Sequence, residues 1–182
     1  MASHERVTFS DENLDLAEIS QNYNDINESV RSYFFPSVAS ASIRFSGYTF
    51  QEIELEMETL LLEHERSTSL NILAAIEAAF RVDFLQRCYR KRKDDLSRVL
   101  RDIYSEKGPR ASLEEDILQA WKERTSVSPQ IISSVRGAFK YRHWLAHGRY
   151  WVPKLGHKYD YDGLYILAEA IFENFPLEGV SI

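Results

Sequence analysis

The stretch from Thr49 to Leu85 constrains this chain more than any other. Phe50, Ile53, Met57, Leu60 and Leu61 recur at three- and four-residue spacing, while Glu54 and Glu58 fall on the opposite side, the pattern of an amphipathic helix. Leu70–Leu85 is then apolar almost all round, which marks a helix in the middle of a fold rather than on its surface. Ser67-Thr68-Ser69 is a candidate break between two helices, one of them capping the next.

The remaining punctuation is also helical. A first helix is expected from about Ser10 to Ser32, with Leu14, Ala17, Ile26 and Val30 as scattered apolar contacts. It stops ahead of Pro36, because proline disfavours helix in the residue before it. Ser37–Tyr48 reads equally as a loop or a short extended piece. Asp94 or Asp95 caps a helix ending near Lys107, before Gly108-Pro109. Ser112 with Glu115 fits a capping box for a helix to about Thr125. Ser128-Pro129 opens another, carrying Ile131, Ile132, Val135 and Phe139. A last helix spans roughly Asp162 to Asn174, stopped by Pro176. The expected class is therefore all-α, a compact helical bundle forming a single domain over 1–182. Residues 1–12 are expected to be loosely held and 49–175 to form the helical core.

Composition narrows the function. With 182 residues, 44% of them hydrophobic, the chain is long enough for one real core and too short for two comfortable domains. A net charge of −6 argues against a protein that coats nucleic acid by bulk charge, though a local basic groove remains open. The single cysteine, Cys88, leaves no internal disulfide and no Cys-based zinc site. No apolar run approaches a membrane span, and the start lacks the apolar stretch of a secretory signal, so a cytoplasmic setting is expected, with no membrane partner.

The chemical signal lies in Tyr141-Arg142-His143-Trp144-Leu145-Ala146-His147-Gly148-Arg149-Tyr150-Trp151, which sets arginine and histidine in R-x4-H spacing. Among fifteen arginines and five histidines, roughly 0.4 such matches arise by chance, so context must carry the reading. The context is a capped amphipathic helix late in a helical chain, with Gly148 placed to end it.

In this segment and in its helical plan over about 50–175, the chain resembles the HEPN superfamily, named for nucleotide binding in higher eukaryotes and prokaryotes. Catalytic members carry R-x4-6-H with a polar residue after the arginine, matched here by Arg142-His143 and His147. The resemblance implies a metal-independent endoribonuclease needing no cofactor, often a toxin or antiviral-defence effector. Such proteins typically dimerise so that two motifs share one cleft, and an antitoxin or defence partner protein is the partner this implies. RNA would be the substrate and a 2′,3′-cyclic phosphate the expected end. The residue types suit this: histidine titrates near neutral pH and can serve as general base or acid, and the arginine fork matches phosphate. In an unbroken helix, however, residues five apart point about 140° away from each other. Arg142 and His147 then converge only if the helix distorts or if each comes from a different subunit.

Blander readings stand beside this one. Arg142 could pair with an acidic residue, and His147 could be a helix-end histidine favoured by the dipole. His143 and His147, four apart, share a helix face and could bind a metal with His157, His64 or a carboxylate. The glutamate of an H-E-x-x-H motif is missing, because Trp144 stands in its place. Glu77 and Arg81 form an i,i+4 pair that either serves itself or faces the cleft. In the second case Glu77 would orient a histidine or arginine and Arg81 would hold phosphate, as polar residues of the central helix do in some members of the resembled family. The basic run Arg87, Arg90, Lys91, Arg92 and Lys93 is either a track for RNA or a solvated helix end. Arg149 and Tyr150, with Trp151, offer a phosphate contact and a stacking face. The main rival function is a non-catalytic helical module that binds RNA, a nucleotide or a protein.

Overall fold

The computed structural model describes residues 6–10, 12, 14–39 and 42–180. These residues form helices and connecting turns, with no strand among them. The order is α1 (Leu16–Tyr33), a single turn α2 (Pro36–Ala39), α3 (Phe50–Tyr89), α4 (Asp95–Lys107), α5 (Leu118–Arg124), α6 (Pro129–Ala146) and α7 (Tyr161–Asn174). The all-α expectation holds. None of these helices is long and apolar enough to cross a membrane.

α3 is one helix of 40 residues, so the expected break at Ser67-Thr68-Ser69 does not occur. The Ser67 hydroxyl donates to the Glu63 carbonyl at 3.0 Å, and Thr68 Oγ1 to the His64 carbonyl at 3.0 Å. Back-bonding to carbonyls four residues earlier satisfies these polar side chains within a continuing helix instead of at a cap. A capping box starts α3: Thr49 Oγ1 accepts from the Glu52 amide at 3.2 Å, and the Glu52 carboxylate takes the Thr49 amide at 2.8 Å.

Other boundaries shift for readable reasons. α1 begins at Leu16, because the Asp15 carboxylate accepts the Ala17 and Glu18 amides at 2.7 and 3.2 Å. Its buried residue is Ile19, while Leu14 and Ile26 are exposed. Ser37–Tyr48, expected as a loop or a short extended piece, holds the rest of α2 after Pro36 and a 3₁₀ turn at Ile43–Phe45. Asp94 is the cap of α4. Ser112 does cap the Glu115 amide, but Asp116 rather than Glu115 returns to the Ser112 amide, and a π turn over Leu113–Ile117 precedes α5. Asp160 caps α7 through the Gly163 amide. Part of the stretch 1–12 lies outside the described residues; within it, the Val7 amide donates to the Tyr89 hydroxyl at 2.8 Å, and Phe9 packs on the same ring.

The second half of α3 is the axis of the core, as its all-round apolarity implies. Ile72, Leu73, Ile76, Phe80 and Phe84 are enclosed by side chains of α4, α5, α6 and α7, with Trp121, Val135 and Leu164 fully buried among them. A smaller cluster of Phe34, Ala39, Phe45 and Ile53, with Val30 and Met57 packed on it, lies at the other end of the helix. Phe50 and Leu60, expected on the inner face, are exposed.

A buried ion pair ties the C-terminus to this axis. Arg87 Nε donates to Asp83 Oδ1 at 2.7 Å, Arg87 Nη2 donates to the Pro176 carbonyl at 2.7 Å, and the Glu178 amide donates to Asp83 Oδ1 at 2.8 Å. Asp83 Oδ2 is buried with no hydrogen bond, so ionisation is poorly compensated. Burial accordingly pushes this carboxyl up from 3.8 to about 6, against the pull of the Glu178 amide and Arg87.

Two outcomes follow for stability. The folded chain holds the Asp83 proton more tightly than the unfolded chain. That contribution is complete below about 4 and lost as pH rises through about 6. Denaturant titrations at pH 5 and pH 7 should show a gain on acidification that is smaller in Asp83→Asn, by on the order of 1 kcal/mol. Gly137 lies against Tyr159, and an added Cβ would sit 2.4 Å from the Tyr159 hydroxyl oxygen. Tyr159 is buried and stacked on Tyr141, so Gly137→Ala should cost about 1–3 kcal/mol in the same titration.

Candidate functional site

The end of α6 is built by its closing turn. His147 is the C-cap, Gly148 turns left-handed at φ 78°, and Arg149 follows at φ 59°. The Arg149 amide donates to the Trp144 carbonyl at 3.1 Å and the Gly148 amide to the Leu145 carbonyl at 3.4 Å. This is the paired hydrogen-bond pattern of a Schellman turn, and the glycine makes it possible. The turn reverses the chain so that Trp144 Nε1 donates to the Trp151 carbonyl at 2.7 Å. Tyr141, buried, stacks between Trp144 and Tyr159. Burial raises its phenol above the ordinary range.

Arg142 points to α3. Its Nη2 lies 2.9 Å from Glu77 Oε2, while Glu77 Oε1 accepts Arg81 Nε at 2.8 Å. One carboxylate therefore serves two guanidiniums and leaves a local charge of one excess cation. The Arg142 side chain is 36% exposed and that of Glu77 19%, so the pair is neither sealed nor fully wet. Arg142 Nε is buried without a hydrogen bond. Arg81 also donates to the Ala111 carbonyl at 3.3 Å. The two oxygens of Glu77 are thus divided between Arg81 and Arg142.

His143 and His147 form a second group. Both are exposed, their ring centroids lie 4.2 Å apart, and the His143 ring is 5.7 Å from that of Trp151. Among the described residues, no hydrogen bond or ring contact joins either histidine to Arg142. Arg142 is engaged by Glu77 of α3, while His147 packs on His143. No set of three or more His, Cys, Asp or Glu among the described residues sits close enough to hold a metal ion.

The other candidates separate. Arg149 Nη1 lies 2.7 Å from Glu63 Oε1, and Glu63 also receives Arg66. Hydrogen bonding from Arg149 holds the Glu63 carboxyl below its ordinary range. Tyr150 is largely exposed and meets Trp151 edge-on at 4.6 Å. Part of the basic run is engaged, while Lys91 and Lys93 are exposed. Arg87 is buried in the Asp83 pair, and Arg90 and Arg92 reach Glu178 at 3.2 and 2.9 Å. Arg90 also stands roughly 20 Å along the α3 axis from Glu77. Glu63 and Arg66 belong to the site region and were missed in the sequence. Their i,i+3 spacing was visible, but nothing local indicated that Arg149 would return to them.

Comparison with known protein families, with curated proteins and with solved structures finds no match to this chain.

A double-mutant cycle on Glu77→Gln and Arg142→Gln measures the clamp directly. For a partly exposed pair the expected coupling is about 0.5–1 kcal/mol at low salt, shrinking as salt is added.

Proposed function

We propose that this protein is a metal-independent endoribonuclease, acting as a toxin or antiviral-defence effector, with Arg142 and His147 as its catalytic pair. The observation that carries the reading is the Arg142 guanidinium, oriented by Glu77 yet open to solvent at the same helix end that exposes His147. Only Nη2 lies against Glu77 and Nε is buried, so Nη1 remains for a phosphate oxygen. His147 as general base removes the 2′-hydroxyl proton, and the 2′-oxygen attacks phosphorus. The P–O5′ bond breaks, a proton passes to the 5′-oxygen, and the products are a 2′,3′-cyclic phosphate and a 5′-hydroxyl. Arg142 stabilises the charge that builds on the phosphoryl oxygens. His143 is a supporting residue, its ring close to His147. Arg149 and the exposed Tyr150 offer a phosphate contact and a stacking face beyond the turn.

Because residues five apart on one helix point away from each other, the site is assembled by a homodimer, with Arg142 of one copy facing His147 of the other. Two-fold symmetry then makes two such sites. A second reading is a non-catalytic RNA-binding module. It is favoured by the occupancy of Arg142, since a guanidinium already paired with Glu77 can hold an RNA phosphate without assisting its cleavage.

Purified protein is expected to cleave RNA in the presence of EDTA, with Arg142→Ala and His147→Ala each losing at least about a hundredfold while keeping helicity. When the two inactive variants are mixed and allowed to exchange subunits, about a quarter of the wild-type rate should return, because half the dimers regain one of two sites. Recovery absent from mixtures that do exchange would mean a site within one chain. Binding of RNA that leaves every substrate intact would establish the module instead.

A further inference from the structure

The first half of α3 is strongly acidic and thinly covered. Residues 50–66 hold six glutamates and one arginine, a net charge of −5 in a chain whose total is −6. From Glu54 to Ser67 no α3 residue is buried. One side of this half, carrying Ile53, Met57 and His64, faces α1 and the small cluster around Phe34. On the opposite side Leu55 and Leu62 are 64% and 43% exposed. Seven residues apart, they fall within about 20° of one another around the helix. Glu54, Glu58 and Glu65 line one flank of this stripe, and Glu52, Glu56 and Glu63 line the other.

The helix dipole explains acid in the first turn only, which is Glu52. Arg44 pairs with Glu56, while Arg149 and Arg66 share Glu63. Glu54, Glu58 and Glu65 have no ion pair among the described residues. Two leucines at heptad spacing between rows of one charge are the half-site of a helix pair whose other half is missing. A second copy does not complete it, because two-fold pairing of this face opposes glutamates with glutamates.

We propose that this face docks a basic amphipathic helix of a partner protein. Its apolar residues, seven apart, would seat on Leu55 and Leu62, and its lysines or arginines would meet the glutamates on both flanks. Arg66 lies next along the stripe and shares Glu63 with Arg149, so the docked helix reaches the segment that follows α6. The surface is defined without reference to cleavage, and its test is separate from that of the nuclease reading.

The probe is a synthetic helical peptide with leucine at every seventh position and lysine on both flanks, beside a twin carrying glutamate in place of lysine. The lysine peptide should bind the full chain, weaken with salt, and lose about tenfold or more in affinity for Leu55→Ser/Leu62→Ser. Glu54→Lys/Glu58→Lys should lose a similar factor, and the glutamate twin should not bind. All four positions are exposed, so helicity should be unchanged in both variants. Equal affinity for the leucine double variant would mean bulk charge attraction alone and would overturn the proposal. So would failure of the lysine peptide to bind, or a homodimer that dissociates in Leu55→Ser/Leu62→Ser, which would make a second copy the occupant.

Discussion

The structure depends on α3 remaining one helix. At 1.5 Å per residue its 40 residues extend about 60 Å, far longer than the core it crosses. The hydroxyls of Ser67 and Thr68 turn back onto carbonyls of the preceding turn, so a polar triplet that resembles a break is absorbed into the helix. Everything else is fastened along this rod. Three of its acids, Glu63, Glu77 and Asp83, each receive an arginine on their own helix, and each also holds a group from far along the chain. Those distant groups are Arg149, Arg142 and the Glu178 amide. α6 runs antiparallel to α3, and its closing turn and the C-terminal segment are thereby placed by one helix.

The three clamps differ in burial, and that difference divides structure from chemistry. Asp83 and Arg87 are removed from water, where an ion pair is costly to form and more costly to break on one side. Such a pair fixes a chain position and offers nothing to a ligand. The Glu77 clamp is partly wet, so its Coulomb energy is modest and its arginine remains available. Glu63, more exposed still, holds Arg149 in a left-handed backbone conformation that L-residues rarely adopt. A surface ion pair alone supplies little for this; the Schellman hydrogen bonds supply the rest.

Much of the fold was legible because its signals are local. The all-round apolarity of Leu70–Leu85, the cap at Asp94, and Ser128-Pro129 each act within a few residues, and each appears where expected. Phe50 and Leu60 misled because periodicity describes a face without saying whether anything covers it. At the site, Arg142, His147, Glu77 and Arg81 could be picked out by residue type, and helical spacing alone set Arg142 and His147 at different angles around the helix. The Glu63–Arg149 contact was not legible, since it depends on a reversal after Gly148 that brings distant residues together. Nor was the fate of Arg90 and Arg92, because Glu178 reaches them only when the C-terminal segment is pinned by Arg87.

The charge pattern along α3 follows from the same economy of contacts. Where the rod is enclosed, its acids are matched by arginines and the surface is close to balanced or slightly positive, as around Glu77. Where it leaves the core, no ion pair among the described residues reaches Glu54, Glu58 or Glu65, and the negative charge accumulates. A polyanion approaching the molecule would therefore be repelled from the first half of α3 and tolerated near Arg142 and Arg81. Arg142 thus faces the balanced half, whereas Arg149, past the turn, meets the acidic half at Glu63. The same uncovered acids that would keep RNA away from one end of α3 make that end attractive to a cationic protein surface.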